Sequence, residues 1–463
     1  MTKGNTGESG GSQTQSWKLV PMPGLDRVRD AARRDRAMQF TSLLHHVDEQ
    51  ALLRAFRSIN RNATAGVDGV TWEQYEEGLE ERLRDLCGRI HRGSYRPQPS
   101  RRTYIPKEDG SKRALGIAAL EDKIVQAAVA AVLGAIYEAD FLEFSYGFRP
   151  GRGQHDALDA LNVAIQTTKV NYILDADIRG YFDTIDHAML LQLVQERVGD
   201  PRVLRLIERW LEAGVVDEGR WQLSEAGTPQ GATISPLLAN IYLHYALDLW
   251  AMEWQQRCRG EMIIVRYADD FIVGFQYEQD ARAFQAALQA RLQAFHLELH
   301  PDKTRLIEFG RYAVERREHR GEGKPATFNF LGFTHICEST PGGFWVKRIP
   351  KRQRIRSKLR ELKTKLRRMM HRPMAQMGAW LQKVLDGFYA YYAVPGALWP
   401  LAKMRRQLGY FWFKLLRRRD QLRSLIWKRM RSIVEEWLPE PHVMHPLPAE
   451  RFASGTRGRS PVR

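Results

Sequence analysis

The sequence predicts an α+β fold in which an antiparallel sheet packs on helices and a helical region follows. Two apolar, strand-like segments, Met262–Arg266 and Phe271–Phe275, flank a short polar stretch, which is typical of a β-hairpin. Another strand of alternating pattern begins at Tyr172 and ends near Gly180, where helix-like sequence follows. Beyond residue 350, apolar side chains recur at the spacing of helices.

The N-terminal part predicts a flexible segment followed by two helices. Residues 1–37 open with a stretch rich in Gly, Ser and Thr that lacks the apolar core of a secretory signal, so we expect this segment to be flexible. An amphipathic pattern predicts a helix from about Met38 to Phe56. Thr71 and Gln74 have the spacing of a capping box, which predicts a second helix that ends before Gly93.

Three carboxylates coincide with the ends of the predicted strands. Asp269 and Asp270 lie at the hairpin turn, and Asp177 lies at or near the end of the strand that begins at Tyr172. Adjacent carboxylates between apolar strands are costly unless a cation is held there, although a solvated hairpin tip is the simpler alternative. Three carboxylates on neighbouring strands suit two Mg²⁺ ions, or Mn²⁺ as a substitute. This is the arrangement of a nucleotidyl transferase.

The charge of the chain is concentrated near its C-terminus. The 463 residues carry a net charge of +17. Between Lys347 and Arg372 there are 13 Lys or Arg against one acid, and between Lys403 and Arg431 there are 11 against Asp420 alone. Leu359, Leu362 and Leu366 recur at helical spacing among these cations, which indicates helices with an apolar stripe and a basic face. Such helices suit a duplex or a structured RNA.

The cysteine content and hydropathy limit the class of protein. Cys87, Cys258 and Cys337 are isolated and odd in number, which suits a reducing cytoplasm and excludes a zinc site built on cysteines. No apolar run is long enough for a membrane span. We therefore expect a cytoplasmic protein, in which association with the nucleoid is compatible with the basic charge.

From about residue 60 to the C-terminus, a series of motifs resembles the reverse transcriptases encoded by bacterial group II introns. The motifs occur in the order of that family. They are Asn62–Gly69, Ile105–Arg113, Ser145–Arg152, the Asp177 motif, Gly227–Gly231 with Ser235 and Pro236, the Tyr267–Asp270 hairpin, Leu299–Thr304 and Phe330–Phe333.

The resemblance implies a right-hand polymerase with fingers, palm and a helical thumb, which in this family is also called the maturase or X domain. We predict fingers and palm in residues 38–345, the thumb in 346–440 and a short basic tail in 441–463. Because the sequence ends at Arg463 without paired cysteines, we expect no HNH endonuclease domain. The tail would then correspond to the beginning of a DNA-binding region.

The resemblance also assigns the catalytic and nucleotide-binding residues. Asp177, Asp269 and Asp270 would bind the metal ions, with the main-chain carbonyl of Ile178 as a further oxygen ligand. The other predicted nucleotide contacts are Lys107 and Arg113 to the triphosphate, Phe182 against a 2′-hydroxyl with Tyr181 as the competing aromatic, Gln230 to the sugar and base, and Lys303 as proton donor to pyrophosphate.

The cations outside the catalytic motifs are predicted to bind nucleic acid. Arg149 and Arg152 suit template or primer phosphates, and the basic helix near residue 350 contributes Lys351, Arg352, Arg356 and Lys363. The implied partners are a structured intron RNA, an RNA template with a DNA primer, deoxynucleoside triphosphates and a target DNA. The implied function is RNA-directed DNA polymerisation combined with maturase activity in the splicing and mobility of the intron.

Two alternatives belong to other classes of protein. One is an RNA-binding maturase whose palm is a scaffold without catalysis. The complete set of Asp177, Gln230, Asp269 and Asp270 argues against it, because a scaffold needs no metal-binding carboxylates. The other is a domesticated reverse transcriptase of the retron or phage-defence kind, which would read a different RNA. The block that begins at Asn62 and the aromatic C-terminal region favour the intron family.

Overall fold

Helices make up most of the described chain. The computed structural model describes residues 24–106, 112–222, 226–228, 231–340, 343–419 and 425–456. The helices are α1 Leu25–Arg34, α2 Glu49–Ser58, α3 Trp72–Glu76, α4 Leu79–His91, α5 Leu120–Asp140, α6 Gln154–Thr167, α7 Tyr181–Thr184, α8 His187–Gln195, α9 Pro201–Glu212, α10 Ser235–Leu243, α11 Leu249–Gln255, α12 Glu278–Gln293, α13 Ala313–His319, α14 Arg352–Arg368, α15 Met374–Tyr392, α16 Leu398–Arg419, α17 Trp427–Trp437 and α18 Pro448–Thr456.

The strands form separate sheets. They are β1 Ser100–Pro106, β2 Lys112–Ile117, β3 Tyr172–Ala176, β4 Val215–Asp217, β5 Arg220–Gln222, β6 Met262–Tyr267, β7 Asp270–Phe275, β8 Arg305–Glu308, β9 Phe328–Phe330, β10 Phe333–Thr340 and β11 Gly343–Pro350. The strand orders are β2-β1-β4-β5, β11-β10-β9 and β6-β7-β3-β8. The predicted α+β class, with antiparallel pairing and a helical C-terminal region, is confirmed.

The chain divides into two compact units. One comprises residues 15–157 and 174–306 as far as they are described, and it contains the β6–β7 hairpin. The other comprises residues 158–173 and the described part of 307–460. In the second unit the β9–β11 sheet is accompanied by α14 to α18, and the buried carboxylate of Asp159 in α6 accepts hydrogen bonds from Arg348 and Arg451.

The apolar patterns explain the elements that carry the predicted site. Every residue of β6 is buried, and in β7 every residue after Asp270 is buried, so the hairpin lies in the core up to its turn. β3 ends at Ala176, and Gly180 takes a left-handed conformation with φ 57° before α7 begins. Glycine adopts this conformation without steric cost. The predicted strand, glycine and helix are therefore confirmed here.

Two predictions in the N-terminal region are wrong. Residues 25–34 were expected to be flexible, but they form α1, whose buried Leu25, Val28 and Ala32 pack on α5. The buried guanidinium of Arg197 binds the carbonyl of Ala32 near the C-terminal end of α1 and the carboxylate of Asp140 in α5. The remainder of the predicted flexible segment, residues 1–23, lies outside the described residues.

The helix predicted over residues 38–56 begins eleven residues late, at Glu49. Asp200 provides one reason, because its carboxylate accepts hydrogen bonds from the amides of Leu43 and Leu44, where the chain forms a single 3-10 turn, Leu44–His46, and no α-helix. Asp48 provides the other reason, because its side chain accepts from the amide of Ala51 and caps α2. The capping box of Thr71 and Gln74 is present as predicted, but the helix is broken at Gly78 into α3 and α4.

The basic C-terminal helices follow the predicted spacing. In α14, Leu359, Leu362 and Leu366 are buried, while the charged residues between them are exposed or partly exposed. In α15, buried residues recur from Met377 to Tyr389 at the same spacing. None of the helices in the described part of the chain has the length and apolar character that crossing a membrane requires.

Candidate active site

The carboxylate turn is a two-residue connection between two buried strands. Tyr267 at the end of β6 pairs with Asp270 at the start of β7, so that Ala268 and Asp269 form the turn. Ala268 has φ 57°, a left-handed conformation that is costly for a residue with a Cβ atom. Tight two-residue hairpin turns require a residue with positive φ. The conformation of Ala268 therefore fixes the direction in which the carboxylates of Asp269 and Asp270 leave the sheet.

Asp177 follows β3, the strand next to β7 in the same sheet. Its neighbours 178 and 179 pair with the segment 298–299, through an isolated bridge between Ile178 and Leu299. The carbonyl of Asp177 accepts a hydrogen bond from the amide of His300 at 2.8 Å. This pairing places Lys303 beside Asp177, with its Nζ 2.6 Å from Oδ2 of the carboxylate. The structure therefore brings Asp177, the Ile178 backbone and Lys303 together.

The three aspartates influence one another electrostatically. Limited hydration raises the pKa of Asp270 to about 7, and the charges of Asp269 and Asp177 contribute further, although the side chain remains open to solvent at one edge. Burial also raises the pKa of Asp269; the charge of Asp177 adds to this, while Arg113 and Arg266 oppose it. Like charges are thus concentrated at one end of the sheet.

This donor set fits a divalent cation in its chemistry. Carboxylate oxygens are the ligands that Mg²⁺ and Mn²⁺ prefer, and a cation would relieve the mutual repulsion that raises these pKa values. Within the described ranges, no group of three or more His, Cys, Asp or Glu side chains is arranged to hold a metal ion. Asp177 instead has the ammonium group of Lys303 as its partner.

Arg266 supports the turn through hydrogen bonds. It was not predicted as a site residue from the sequence. This arginine is fully buried in β6, and its guanidinium donates to both oxygens of the buried Asp248 at 2.7 and 2.5 Å. It also donates to the carbonyl of Ala268 at 2.9 Å, the residue before Asp269. Further bonds join it to Asn240 and Ser145. The signal was available, because Arg266 is the one charge in the apolar run from Met262 to Tyr267.

The aromatic pair after β3 has two different environments. Tyr181 is buried, and its hydroxyl donates to the carbonyl of Ala239 at 2.5 Å. Phe182 is partly exposed and lies edge-on to Phe148, with ring centroids 6.3 Å apart. The carbonyl of Phe182 accepts from the amide of Thr228, so the 227–228 block lies beside this aromatic.

Of the three residues Arg113, Lys107 and Gln230 that are predicted to contact the nucleotide, Arg113 lies in the described part of the chain. Arg113 lies near the start of β2, opposite Ile105 in the β1–β2 hairpin, and its charge lowers the pKa of Asp269. The charge of Arg113 is therefore close enough to influence the carboxylate turn. Lys107 and Gln230, the other two residues predicted to contact the nucleotide from loops, lie outside the described residues.

The structure corrects the prediction that Arg149 holds nucleic-acid phosphates. Its side chain is 3% exposed and binds Glu138 as well as the carbonyls of Leu142 and Ser145. These groups bond to all three nitrogen atoms of the guanidinium, and burial keeps the side chain away from a phosphate in solution. Arg152 differs, since it is partly exposed and lies over the ring of Tyr146.

The cations predicted to bind nucleic acid in the other unit all belong to the start or body of α14. Lys351 precedes the helix, Arg352 and Arg356 are exposed one turn apart, and Lys363 lies over the ring of Phe411 at 5.4 Å. The Arg352 and Arg356 side chains therefore share one exposed face. These four residues are brought together along a single helix, as the sequence predicted.

Comparison with known proteins gives a consistent family. A family model described as reverse transcriptase (RNA-dependent DNA polymerase) matches residues 105–335. Protein YkfC of Escherichia coli (strain K12) is 33% identical over 300 residues, which cover 56% of this chain and 78% of YkfC. The group II intron-encoded protein LtrA of Lactococcus lactis subsp. cremoris is 36% identical over 235 residues, which cover 50% of this chain and 39% of LtrA.

A eukaryotic relative extends the comparison. The uncharacterized 91 kDa protein in cob intron of Schizosaccharomyces pombe is 42% identical over 146 residues, 32% of this chain and 18% of that protein. The chain thus spans most of YkfC but about two fifths of LtrA. The matched family region contains β2 to β9 and every predicted catalytic residue.

Proposed function

The chain belongs to the reverse transcriptases, the RNA-dependent DNA polymerases, with relatives encoded by group II introns, and we propose that Asp177, Asp269 and Asp270 are its catalytic carboxylates. The observation that carries this assignment is the concentration of like charge at one end of the β6-β7-β3-β8 sheet, where burial and the charge of Asp177 raise the pKa of both Asp269 and Asp270. A protein without catalytic use for these groups gains nothing from their mutual repulsion.

The three aspartates, with the main-chain carbonyl of Ile178, would hold divalent ions such as Mg²⁺ or Mn²⁺. Bound there, such ions would favour attack of a primer 3′-hydroxyl and departure of pyrophosphate. Lys303 is suited to give a proton to the leaving pyrophosphate, because its ammonium group already lies 2.6 Å from Asp177.

The incoming nucleotide would be held from three sides. Arg113 and Lys107 would bind its triphosphate, and Gln230 would contact its sugar and base. Phe182 would block a 2′-hydroxyl and select deoxynucleotides. The exposure of Phe182 and the complete burial of Tyr181 support the first of the two candidate aromatics.

A second role follows from the intron-encoded relatives. We infer that the chain also binds an intron RNA and assists its splicing, and that its substrates include an RNA template with a DNA primer and a target DNA. In this proposal, residues 38–345 form the fingers and palm, 346–440 form the thumb, and 441–463 form the tail. The exposed cations of α14 support the RNA-binding part.

Primer extension tests the polymerase assignment. The wild-type chain, Asp269→Asn and the matched control Asp302→Asn are compared on an RNA template with deoxynucleotides and Mg²⁺. Asp302 is an exposed aspartate next to Lys303 and outside the carboxylate cluster. We expect extension by the wild type and the control, and none by Asp269→Asn. Equal extension by all three would exclude the assigned carboxylate, and no extension by any on several templates would favour the RNA-binding maturase.

A further inference from the structure

A groove between α16 and α17 combines exposed aromatic rings with cations. Its volume is about 370 Å³, within the range of about 300 to 1,000 Å³ that small-molecule sites occupy. Trp399, Lys403, Arg406 and Gly409 line it from α16, where steps of three and four residues place them on one face. Trp427, Arg431, Val434 and Glu435 line it from α17 in the same way.

One of the residues that line the groove, Gly409, lies close to α17. A Cβ atom at Gly409 would stand 3.1 Å from Cγ2 of Val434, so a larger residue would fill the floor or separate the helices. Gly409 itself is buried, as are Leu408 and Trp412, which belong to the core of the unit. The floor is therefore fixed by packing, while the rim is formed by long side chains.

The aromatic residues of the rim are exposed to solvent to different degrees. Trp399 is 70% exposed and Trp427 is 39% exposed, whereas Trp412 in the same helix as Trp399 is fully buried. Trp427 is held by edge contacts to Tyr410 and Phe413, with ring centroids 6.0 and 5.1 Å apart. Lys403 lies over the Trp399 ring at 5.1 Å. Large exposed aromatic rings of this kind mark interaction sites.

The charge of the groove is positive. Arg405 is occupied by the carbonyl of Leu438 and the carboxylate of Glu440. Lys403, Arg406 and Arg431, by contrast, form no ion pair with an acidic side chain in the parts of the chain that the structure describes. Glu435 is the single acid among the lining residues. An anionic ligand with a flat apolar part would satisfy both the cations and the exposed rings.

We propose that this groove binds an unpaired nucleobase of a structured RNA. The base stacks on Trp399 or Trp427, and Lys403, Arg406 and Arg431 contact the phosphates that flank it. Proteins recognise single-stranded and looped RNA by stacking its bases on aromatic side chains beside cations. The site rests on the proposed function, in that the chain binds RNA, and it adds a contact separate from the exposed cations of α14.

Binding of short RNAs to the full chain tests the site. The probes are an RNA hairpin with an adenine-rich loop and a fully paired duplex of the same stem. The variants are Trp399→Ala, Trp399→Phe and Arg431→Ala, with Arg429→Ala as the matched control. Arg429 is an exposed arginine two residues from Arg431, which places it on the other side of α17.

We expect Trp399→Ala to weaken hairpin binding about 5- to 150-fold, the range that stacking of one base gives, and Trp399→Phe to retain most of the affinity. Arg431→Ala should weaken it more than Arg429→Ala does. The duplex should bind equally to the wild type and Trp399→Ala. Trp fluorescence of the wild type should be quenched by the hairpin and less so in Trp399→Ala.

The contrary results separate this site from the proposed function. Wild-type affinity for the hairpin in all variants, with primer extension intact, would overturn the groove alone. If an acidic peptide displaces the hairpin from the wild type but not from the variants, the groove binds a protein ligand. This result would also overturn the assignment of the groove to a nucleobase. Failure of the wild type to bind either RNA would remove the RNA-binding part of the proposed function together with the site.

Discussion

Arg266 determines the geometry of the carboxylate turn at the scale of single residues. It joins a buried carboxylate, Asp248, to the carbonyl of Ala268, and both bonds come from one planar guanidinium. A lysine retains the charge but cannot form this set of bonds, because its donors diverge from a single point. Removal of one partner from a buried ion pair costs about 3 to 5 kcal/mol of folding free energy.

We therefore predict that Arg266→Lys lowers the turnover number of DNA synthesis by about a hundredfold, the loss that a displacement of about 1 Å in a reacting group can produce. The KM for deoxynucleotides should change much less, since the nucleotide contacts are elsewhere. Steady-state kinetics of primer extension measure both quantities, with Arg282→Lys as a control at an exposed arginine. An unchanged turnover number would show that the turn does not depend on Arg266.

Asp122 gives a pH-dependent prediction. It is buried, which raises its pKa to about 6, although it accepts hydrogen bonds from the hydroxyl of Tyr95 and the amide of Gln98. The folded state then holds this proton more tightly than the unfolded state, so stability falls as pH rises from about 4 to 6.

Asp122→Asn should remove this contribution. Urea titration measures the unfolding free energy at pH 4 and at pH 6. The value at pH 6 minus the value at pH 4 should be larger in Asp122→Asn than in the wild type by on the order of 1 to 3 kcal/mol. Asp302→Asn, at an exposed carboxylate, should leave the difference unchanged. The same pH dependence in wild type and Asp122→Asn would contradict the raised pKa.

At the scale of secondary-structure elements, we propose that α14 contributes to nucleic-acid affinity. Its leucines are buried from Leu359 onward, whereas Arg352 and Arg356 are exposed near its N-terminal end. Each arginine that neutralises a phosphate releases counterions, so its removal reduces the salt dependence of binding as well as the affinity.

The double variant Arg352→Ala/Arg356→Ala should bind RNA more weakly, and the slope of log affinity against log salt should shrink by about two. The control is Arg259→Ala/Arg282→Ala, which removes two exposed arginines from the other unit. Filter binding over a salt series measures both slopes. Equal slopes in the two double variants would show that α14 does not contact phosphates.

The elements differ in how far the sequence predicts them. The β6–β7 hairpin and β3 follow from local pattern, because their apolar runs end at polar turns or at Gly180. The start of α2 has a local signal in its N-cap residue Asp48, but the path of the preceding segment depends on Asp200, which binds the amides of Leu43 and Leu44 from more than 150 residues away. Local periodicity contains no information about such partners.

The site residues show the same limit. The three aspartates are predictable, because their chemistry and strand positions agree. Arg149 and Arg266 are both arginines beside predicted catalytic motifs, yet both prove to be buried and bonded to protein groups. Sequence spacing alone does not show whether an arginine faces a phosphate or an internal carboxylate. That difference depends on the fold around it.

At the scale of the whole molecule, the proposed activities should be separable. Asp269→Asn removes a carboxylate that we propose is catalytic but leaves the cations proposed to bind RNA intact. We expect it to abolish primer extension and to support splicing of a group II intron RNA at near wild-type rates. Arg352→Ala/Arg356→Ala should impair splicing more strongly than extension. Loss of splicing in Asp269→Asn as complete as its loss of extension would contradict this division.

Gly147 lies so close to the turn that an ideal Cβ atom there would be 2.2 Å from the amide nitrogen of Ala268. Any side chain at 147 must therefore displace the backbone that bears Asp269, by van der Waals overlap alone. A mutational scan across Ser145–Arg152 should accordingly yield two kinds of inactive variant. Those at 147 would retain template affinity with a misplaced turn, whereas those at Arg152 would lose template affinity with the turn intact.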